Sequence, residues 1–322
     1  MHLLVLIVAG CAALRAPETG PPEPPRTLDM LPAETAEAAR VQILLSRTKW
    51  QPGSIDGQLG SNARHALAAF QEGEGIPATG RPDPETVRAL EERAGGRALT
   101  KRYKVTPLDV DGPFVKLPEG LYDAHQAPCM CYASAWEELG ERFHVAPELL
   151  AAMNPDQDMN ELAVGDTLVV PDTEPVDAFT DTVAKIRVDV NDLTLTALDA
   201  EGGVLRQYPT VVGEEYVGYE GTLTVTGVAH DPEYRLDPKT WEEIPDDWEV
   251  VTIPKGPNSP VGVVWMQLSR DGYGIHGTSH PEIIGHTESH GCVRLTNWSA
   301  LELAEHVEPG VTEVEFVGMG QG

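Results

Sequence analysis

Ile275-His276-Gly277-Thr278 and, after a short glycine-containing loop, Ser289-His290-Gly291-Cys292-Val293-Arg294-Leu295 bracket one cysteine with two histidines and an arginine. The thiolate is the nucleophilic form of cysteine, and nearby basic or cationic groups raise its population near neutral pH. The pattern is therefore an activated thiol suited to acyl transfer. Such chemistry needs a nucleophile, a base that later becomes an acid, and donors for the oxyanion. Cys292 supplies the first and His276, sixteen positions upstream, the second. Ser289 is expected to orient the His276 ring, the part a third group plays in catalytic triads. Backbone amides at Gly291 and Cys292 are the expected oxyanion donors, because glycine permits the close approach. For His290, direct catalysis and a structural hydrogen bond both stay open. Arg294 either docks a substrate carboxylate and favours the thiolate or makes an internal salt bridge.

Zinc is the rival reading of the same residues, since His276, His280, His286, His290 and Cys292 are all ligand types. The four-residue spacings of His276/His280 and His286/His290 align ligands only on a helix. Gly277, Gly285, Gly291 and Pro281 make a helix untenable, so neither metal nor cofactor is expected.

Working outward, the chain around this stretch has period two. Ile186, Val188 and Val190 alternate, as do Leu193, Leu195 and Ala197 after a turn at Asn191-Asp192. Further strands are expected at 208–213, 223–228 and 263–268, giving a mainly-β, sandwich-like domain. Between two of them an acidic excursion, Asp231 to Glu249, carries Tyr234, Trp241 and Trp248 and reads either as a lid or as a solvated loop.

The signature, together with Gly221-Thr222-Leu223-Thr224-Val225, Pro232-Glu233-Tyr234 and Gly256-Pro257-Asn258-Ser259-Pro260-Val261-Gly262, resembles the catalytic domain of the L,D-transpeptidases (YkuD type). The resemblance covers residues 181–318. It implies a cysteinyl thioester formed on peptidoglycan stem peptides, with Cys292 and His276 as the reacting pair and Tyr234, Thr278 and Arg294 against the substrate. It implies 3–3 cross-linking or attachment of a protein to the wall. The alternatives are an L,D-carboxypeptidase or cross-link hydrolase using the same thiol, and a non-catalytic wall-binding scaffold.

Upstream, the periodicity is helical. Val41, Leu44 and Leu45 share one face, Asp56-Gly57 marks a turn, Phe70-Gln71 ends a second helical stretch, and Asp83 precedes a third as an N-cap. Residues 34–95 resemble a three-helix peptidoglycan-binding module. Residues 126–173, with Trp136, Leu139 and Phe143 on one helical face and Leu149 and Leu150 on the next, resemble a LysM-like βααβ unit, its first strand replaced by Cys129-Met130-Cys131-Tyr132. The whole is a multidomain α+β chain whose modules act as tethers, raising the concentration of wall stems around Cys292.

The apolar run Leu3–Ala9 is too short to span a bilayer. With Val8-Ala9-Gly10-Cys11 it resembles a lipobox within residues 1–11, which implies lipidation at Cys11, a membrane anchor and a periplasmic or cell-surface location, although no Lys or Arg precedes it. Residues 12–33 are a proline-rich linker. A formal charge of −28 excludes nucleic acid as a partner, because binding phosphates takes a basic surface. With Cys11 and Cys292 assigned, Cys129 and Cys131 are expected to be buried as small apolar thiols, being too close in sequence to bridge easily.

Overall fold

A computed structural model describes residues 28–158, 160–176, 179–213, 219, 221–241, 244–285 and 292–318. Three helices, α1 (Ala33–Ser46), α2 (Ser61–Gly73) and α3 (Pro84–Arg93), follow the three helical stretches of the sequence. Asp83 caps α3, its side chain accepting from Thr86 N at 3.0 Å. Gln71 is fully buried and explains its place after Phe70. Its amide donates to Thr86 Oγ1, Thr79 Oγ1 and Arg81 O, and its carbonyl accepts from Gly80 N, so one side chain ties α2 to the loop before α3. Gly57, at φ +73°, is required at the first turn, where a Cβ would sit 2.6 Å from Thr35.

The next unit runs from β1 (Thr100–Lys104) through α4 (Pro107–Val110), α5 (Ala135–Arg142) and α6 (Pro147–Met153) to β2 (Thr167–Pro171), which pairs antiparallel with β1. This corrects the opening strand: it is Thr100–Lys104, not Cys129–Tyr132, and the segment between α4 and α5 is inserted into a βααβ arrangement. β1 is an edge strand of sequence Thr-Lys-Arg-Tyr-Lys, so it shows no apolar alternation. Cys129 and Cys131 form a disulfide with Cα atoms 5.2 Å apart, which replaces the expected pair of thiols.

The remaining chain is mainly β: β3 (Lys185–Asp189), β4 (Thr194–Leu198), β5 (Val204–Pro209), β6 (Val211–Val212), β7 (Thr222–His230), β8 (Tyr234–Leu236), β9 (Val251–Ile253), β10 (Val264–Leu268), β11 (Gly274–His276), β12 (Val293–Arg294), helix α7 (Asn297–Ala304) and β13 (Glu313–Val317). The hairpin at Asn191-Asp192 forms as expected, β3 and β4 pairing from Asp189↔Thr194 to Lys185↔Leu198. The sandwich-like expectation becomes one nine-stranded sheet of order β5-β4-β3-β13-β7-β10-β11-β12-β6. β7 belongs to both halves, pairing through Thr222–Thr224 with β13 and from Val225 onward with β10. A single core takes Ile186, Val188 and Leu195 from one half, Val264, Met266 and Ile275 from the other, and Leu303 from α7.

The units are not strung on tethers. Ile43 of α1 packs with Trp136, Leu139 and Leu150 of the βααβ unit, while Val41 and Leu45 face Leu67, Phe70 and Leu90 of the three-helix module. Trp50 bridges to Gln207, with Gln51 N donating to Gln207 O at 2.9 Å and Gln207 N to Lys49 O at 2.8 Å. The buried Arg206 guanidinium donates to Thr48 O and to Glu302, and Asn62 donates to Ile284 O at 2.7 Å. Trp298 of α7 stacks on His144, ring centroids 4.9 Å apart.

Candidate active site

β11 carries the site. Its antiparallel neighbour β10 sets Trp265 opposite His276, and its parallel neighbour β12 sets Arg294 opposite His276 and Val293 opposite Ile275. Cys292 is therefore the residue that leads into β12, one position before the partner of Ile275, and its carbonyl accepts from Gly213 N at 3.1 Å. Gly274 makes room for the Trp265 ring, which a Cβ would meet at 2.5 Å, and that ring stacks on His276 with centroids 5.4 Å apart.

His276 is 2% exposed. Its Nδ1 lies 2.6 Å from Gly277 O, and a carbonyl can only accept, so Nδ1 carries the proton and Nε2 the lone pair. Burial, then the nearby Arg294 charge, holds the imidazole at about 3, so it stays neutral near pH 7. Burial also pulls the Arg294 guanidinium below its ordinary value, and Cys292 and Tyr234 work against that pull. Among the described residues Arg294 Nε is buried without a hydrogen-bond partner. Tyr234 on β8 is raised above the usual phenol range, by burial first, and feels both Cys292 and Arg294. Thr278 is 3% exposed, its hydroxyl accepting from His280 N at 3.1 Å.

Cys292, His276, Arg294, Thr278 and Tyr234 line one cleft of about 1170 Å³. Ser289, His290, Gly291 and His286 lie outside the described residues, so only Gly277 O can be named as orienting the His276 ring. Cys11 and residues 12–27 of the expected linker lie outside them too. The last part of that linker is folded instead, Leu28 and Leu31 being buried in the core that also holds Ile43 and Trp136, and Ala33 opening α1. His280 pairs with Glu282 at 3.0 Å, and no cluster of three or more ligand-type side chains occurs among the described residues. No helix among them is long and apolar enough to cross a membrane.

The cleft has two further walls, the first one of the two readings expected of the acidic excursion and the second unforeseen. The acidic excursion forms the hairpin β8–β9, with Trp241 on the cleft and Trp248 edge-to-face with Tyr122, ring centroids 4.5 Å apart. It is strapped down by the segment inserted before α5. Met130 N donates to Lys255 O, Asn258 N donates to Met130 O, and Gly256 admits Met130 O into the space of a Cβ, 2.2 Å away. The opposite wall is the βααβ unit, through Gly140, Glu141 and Pro147. Nothing in the local sequence of α5 marks it as part of a site 150 residues downstream.

A mainly-β domain thus sets a cysteine at the entry to β12 and a buried neutral histidine on its parallel neighbour β11, both lining one cleft. The family model for the L,D-transpeptidase catalytic domain matches residues 184–316, and that for a "Putative peptidoglycan binding domain" matches residues 35–90. The chain is 30% identical over 168 residues to the "Putative L,D-transpeptidase YkuD" of Bacillus subtilis, an alignment covering 52% of this chain and 85% of that protein. It is 28% identical over 174 residues to its namesake in Bacillus licheniformis, covering 54% and 88%. The solved catalytic domain of the E. faecium L,D-transpeptidase acylated by ertapenem is 23% identical, covering 43% of this chain and 99% of that one, with a TM-score of 0.32. This chain belongs to the L,D-transpeptidase family. Peptidoglycan is accordingly its partner, and the cell envelope its place.

Proposed function

We propose that the enzyme acts on peptidoglycan stem peptides through a thioester on Cys292. The observation that carries this is His276, buried, neutral and tied through Nδ1 to Gly277 O, one strand from Cys292 in the same cleft. His276 Nε2 takes the thiol proton as Sγ attacks the carbonyl of the third stem residue. The oxyanion is held by backbone amides of Gly291 and Cys292. His276 then protonates the departing nitrogen of the terminal D-alanine as the C–N bond breaks. An acceptor amine attacks the thioester, gives its proton to His276 and expels the thiolate. A second stem gives a 3–3 cross-link, and a protein amine gives wall attachment. Arg294, with Nε unengaged among the described residues, and Tyr234 and Thr278 hold the donor stem. Ser289 is the further candidate for orienting the His276 ring, and His290 acts either in catalysis or through a structural hydrogen bond.

The same reading takes residues 34–95 as wall-binding, the β1-α5-α6-β2 arrangement as LysM-like, and Cys11 as the lipidated anchor. Cys292→Ala should abolish both cross-linking of disaccharide-tetrapeptide and the covalent ertapenem adduct. His276→Ala should slow acylation by about 10²–10⁴, the usual worth of a general base. Turnover retained in the first variant, or a near-unchanged rate in the second, removes the corresponding residue from the mechanism. Free tripeptide as the sole product would instead make the enzyme a carboxypeptidase.

A further inference from the structure

Asn297, the first residue of α7, is 1% exposed and packs against the segment that follows β11. Its Oδ1 occupies the space over two glycines: a Cβ on Gly277 would lie 2.2 Å from it, and one on Gly262 2.1 Å. The same oxygen accepts from Val263 N at 3.3 Å. The other end of the amide, Nδ2, donates to Pro257 O at 3.1 Å and to both oxygens of Glu141, at 2.9 and 3.2 Å. A donor at one end and acceptors at the other allow one orientation of the amide. Glu141 belongs to α5 of the βααβ unit and also accepts from Tyr132 Oη at 3.1 Å. One turn earlier on α5, Glu137 accepts from Asn258 Nδ2 at 2.8 Å, so the seam between the units is polar along its length.

We propose that Glu141 and Asn297 are positioning residues for His276, making α5 a working part of the catalytic centre. Gly277 lies under Asn297 Oδ1, and Gly277 O holds His276 Nδ1. A shift of Asn297 moves that carbonyl, and the carbonyl sets the direction of Nε2. Glu141 fixes Asn297 from the far side of the cleft, across a gap of 156 residues in the chain. The cleft is thus closed by one wall that also aims its base. The inference rests on the Cys292–His276 reading given above.

The test uses the full chain and two readouts, the rate of ertapenem acylation and the kcat and KM for a disaccharide-tetrapeptide. Glu141→Leu removes the acceptor and keeps a side chain of similar size. It should lower kcat and the acylation rate about a hundredfold, the effect of misplacing a catalytic group by about 1 Å, with KM within about threefold. Glu141→Gln retains an acceptor for Asn297 and should recover about tenfold of that loss. A kcat for Glu141→Leu within about threefold of wild type, or no recovery with Glu141→Gln, overturns the proposal. Should Glu141→Leu fail to fold, Asn297→Asp sets two carboxylates face to face, and adding Glu141→Gln restores a donor–acceptor pair. Recovery in that double variant supports the brace, and its absence sinks it. An ertapenem adduct persisting in Cys292→Ala would refute the thiol reading itself. Loss of that adduct alongside an unaffected Glu141→Leu would refute only the brace.

Discussion

Acidification from pH 6.5 to 5.0 should destabilise this protein by the balance of three desolvated groups, and substitution of each should change the slope by a known sign. His276 is buried and His144 half-buried, and desolvation holds His144 at about 4 and His276 at about 3. Below about pH 6.5 the unfolded chain protonates both rings while the folded chain does not, so each favours unfolding by about 2 kcal/mol over this interval. Glu141 runs the other way. Burial raises it to about 7, so the folded chain keeps a proton that the unfolded chain binds only near pH 4.5, and acidification favours the fold by about 2 kcal/mol. Wild type should therefore lose about 2 kcal/mol, the worth of one net proton. His144→Asn suits the position, where φ is +56°, and removes one titration. Its stability should be nearly flat with pH over the interval, although the stack on Trp298 is lost. Glu141→Gln should double the wild-type slope. Urea unfolding followed by tryptophan fluorescence at pH 5.0, 5.5, 6.0 and 6.5 measures all three. The carboxylates held low, among them Asp109, Glu282 and Glu315, titrate below this interval and are common to the three proteins. A His144→Asn slope equal to wild type would mean that desolvation does not hold the ring in its neutral form, and the reasoning would fail.

Gln71→Leu should cost about 3 kcal/mol, since the amides and hydroxyls it serves lose their partner at about 1–3 kcal/mol for each buried group left unpaired. Urea denaturation checks it, and ertapenem acylation of the folded variant should be unchanged. Deleting residues 28–175 should leave the sheet domain poorly folded, because that cut strips the partners of Arg206, Gln207, Asn258 and Asn297 together. A truncated protein with a dispersed amide spectrum and wild-type acylation would show the upstream units to be dispensable.

Much of the fold was legible because it rests on local signals. The alternation of Ile186, Val188, Leu195 and Ala197, the Asp83 cap and the Asp56-Gly57 turn each report their own backbone. The His276–Cys292 pair was legible because the chemistry needs those residue types close together. What stayed hidden is non-local. β1 is a polar edge strand whose identity comes only from pairing with β2, 63 residues on at Lys104↔Thr167. The Cys129–Cys131 bridge brings Cα atoms to 5.2 Å across a separation of two, a pairing that spacing alone argued against. Glu141 and Asn297 are ordinary helix residues until the fold brings α5 onto α7. The tether reading failed for the same reason: α1 looks like one apolar helix in sequence, and only the packing shows two different cores on its two sides.

The placement of β13 has a consequence for biosynthesis. It is the last described strand in the chain, yet it sits in the interior of the sheet, parallel to β3 and antiparallel to β7. Until Glu313–Val317 emerges from the ribosome, β3 and β7 have no shared neighbour and the two halves of the sheet cannot join. Closure over such a separation is slow, because loop entropy must be overcome before the contacts form. The core of this sheet therefore closes only once the whole of residues 185–317 has been made, and the earlier strands wait for the last of them.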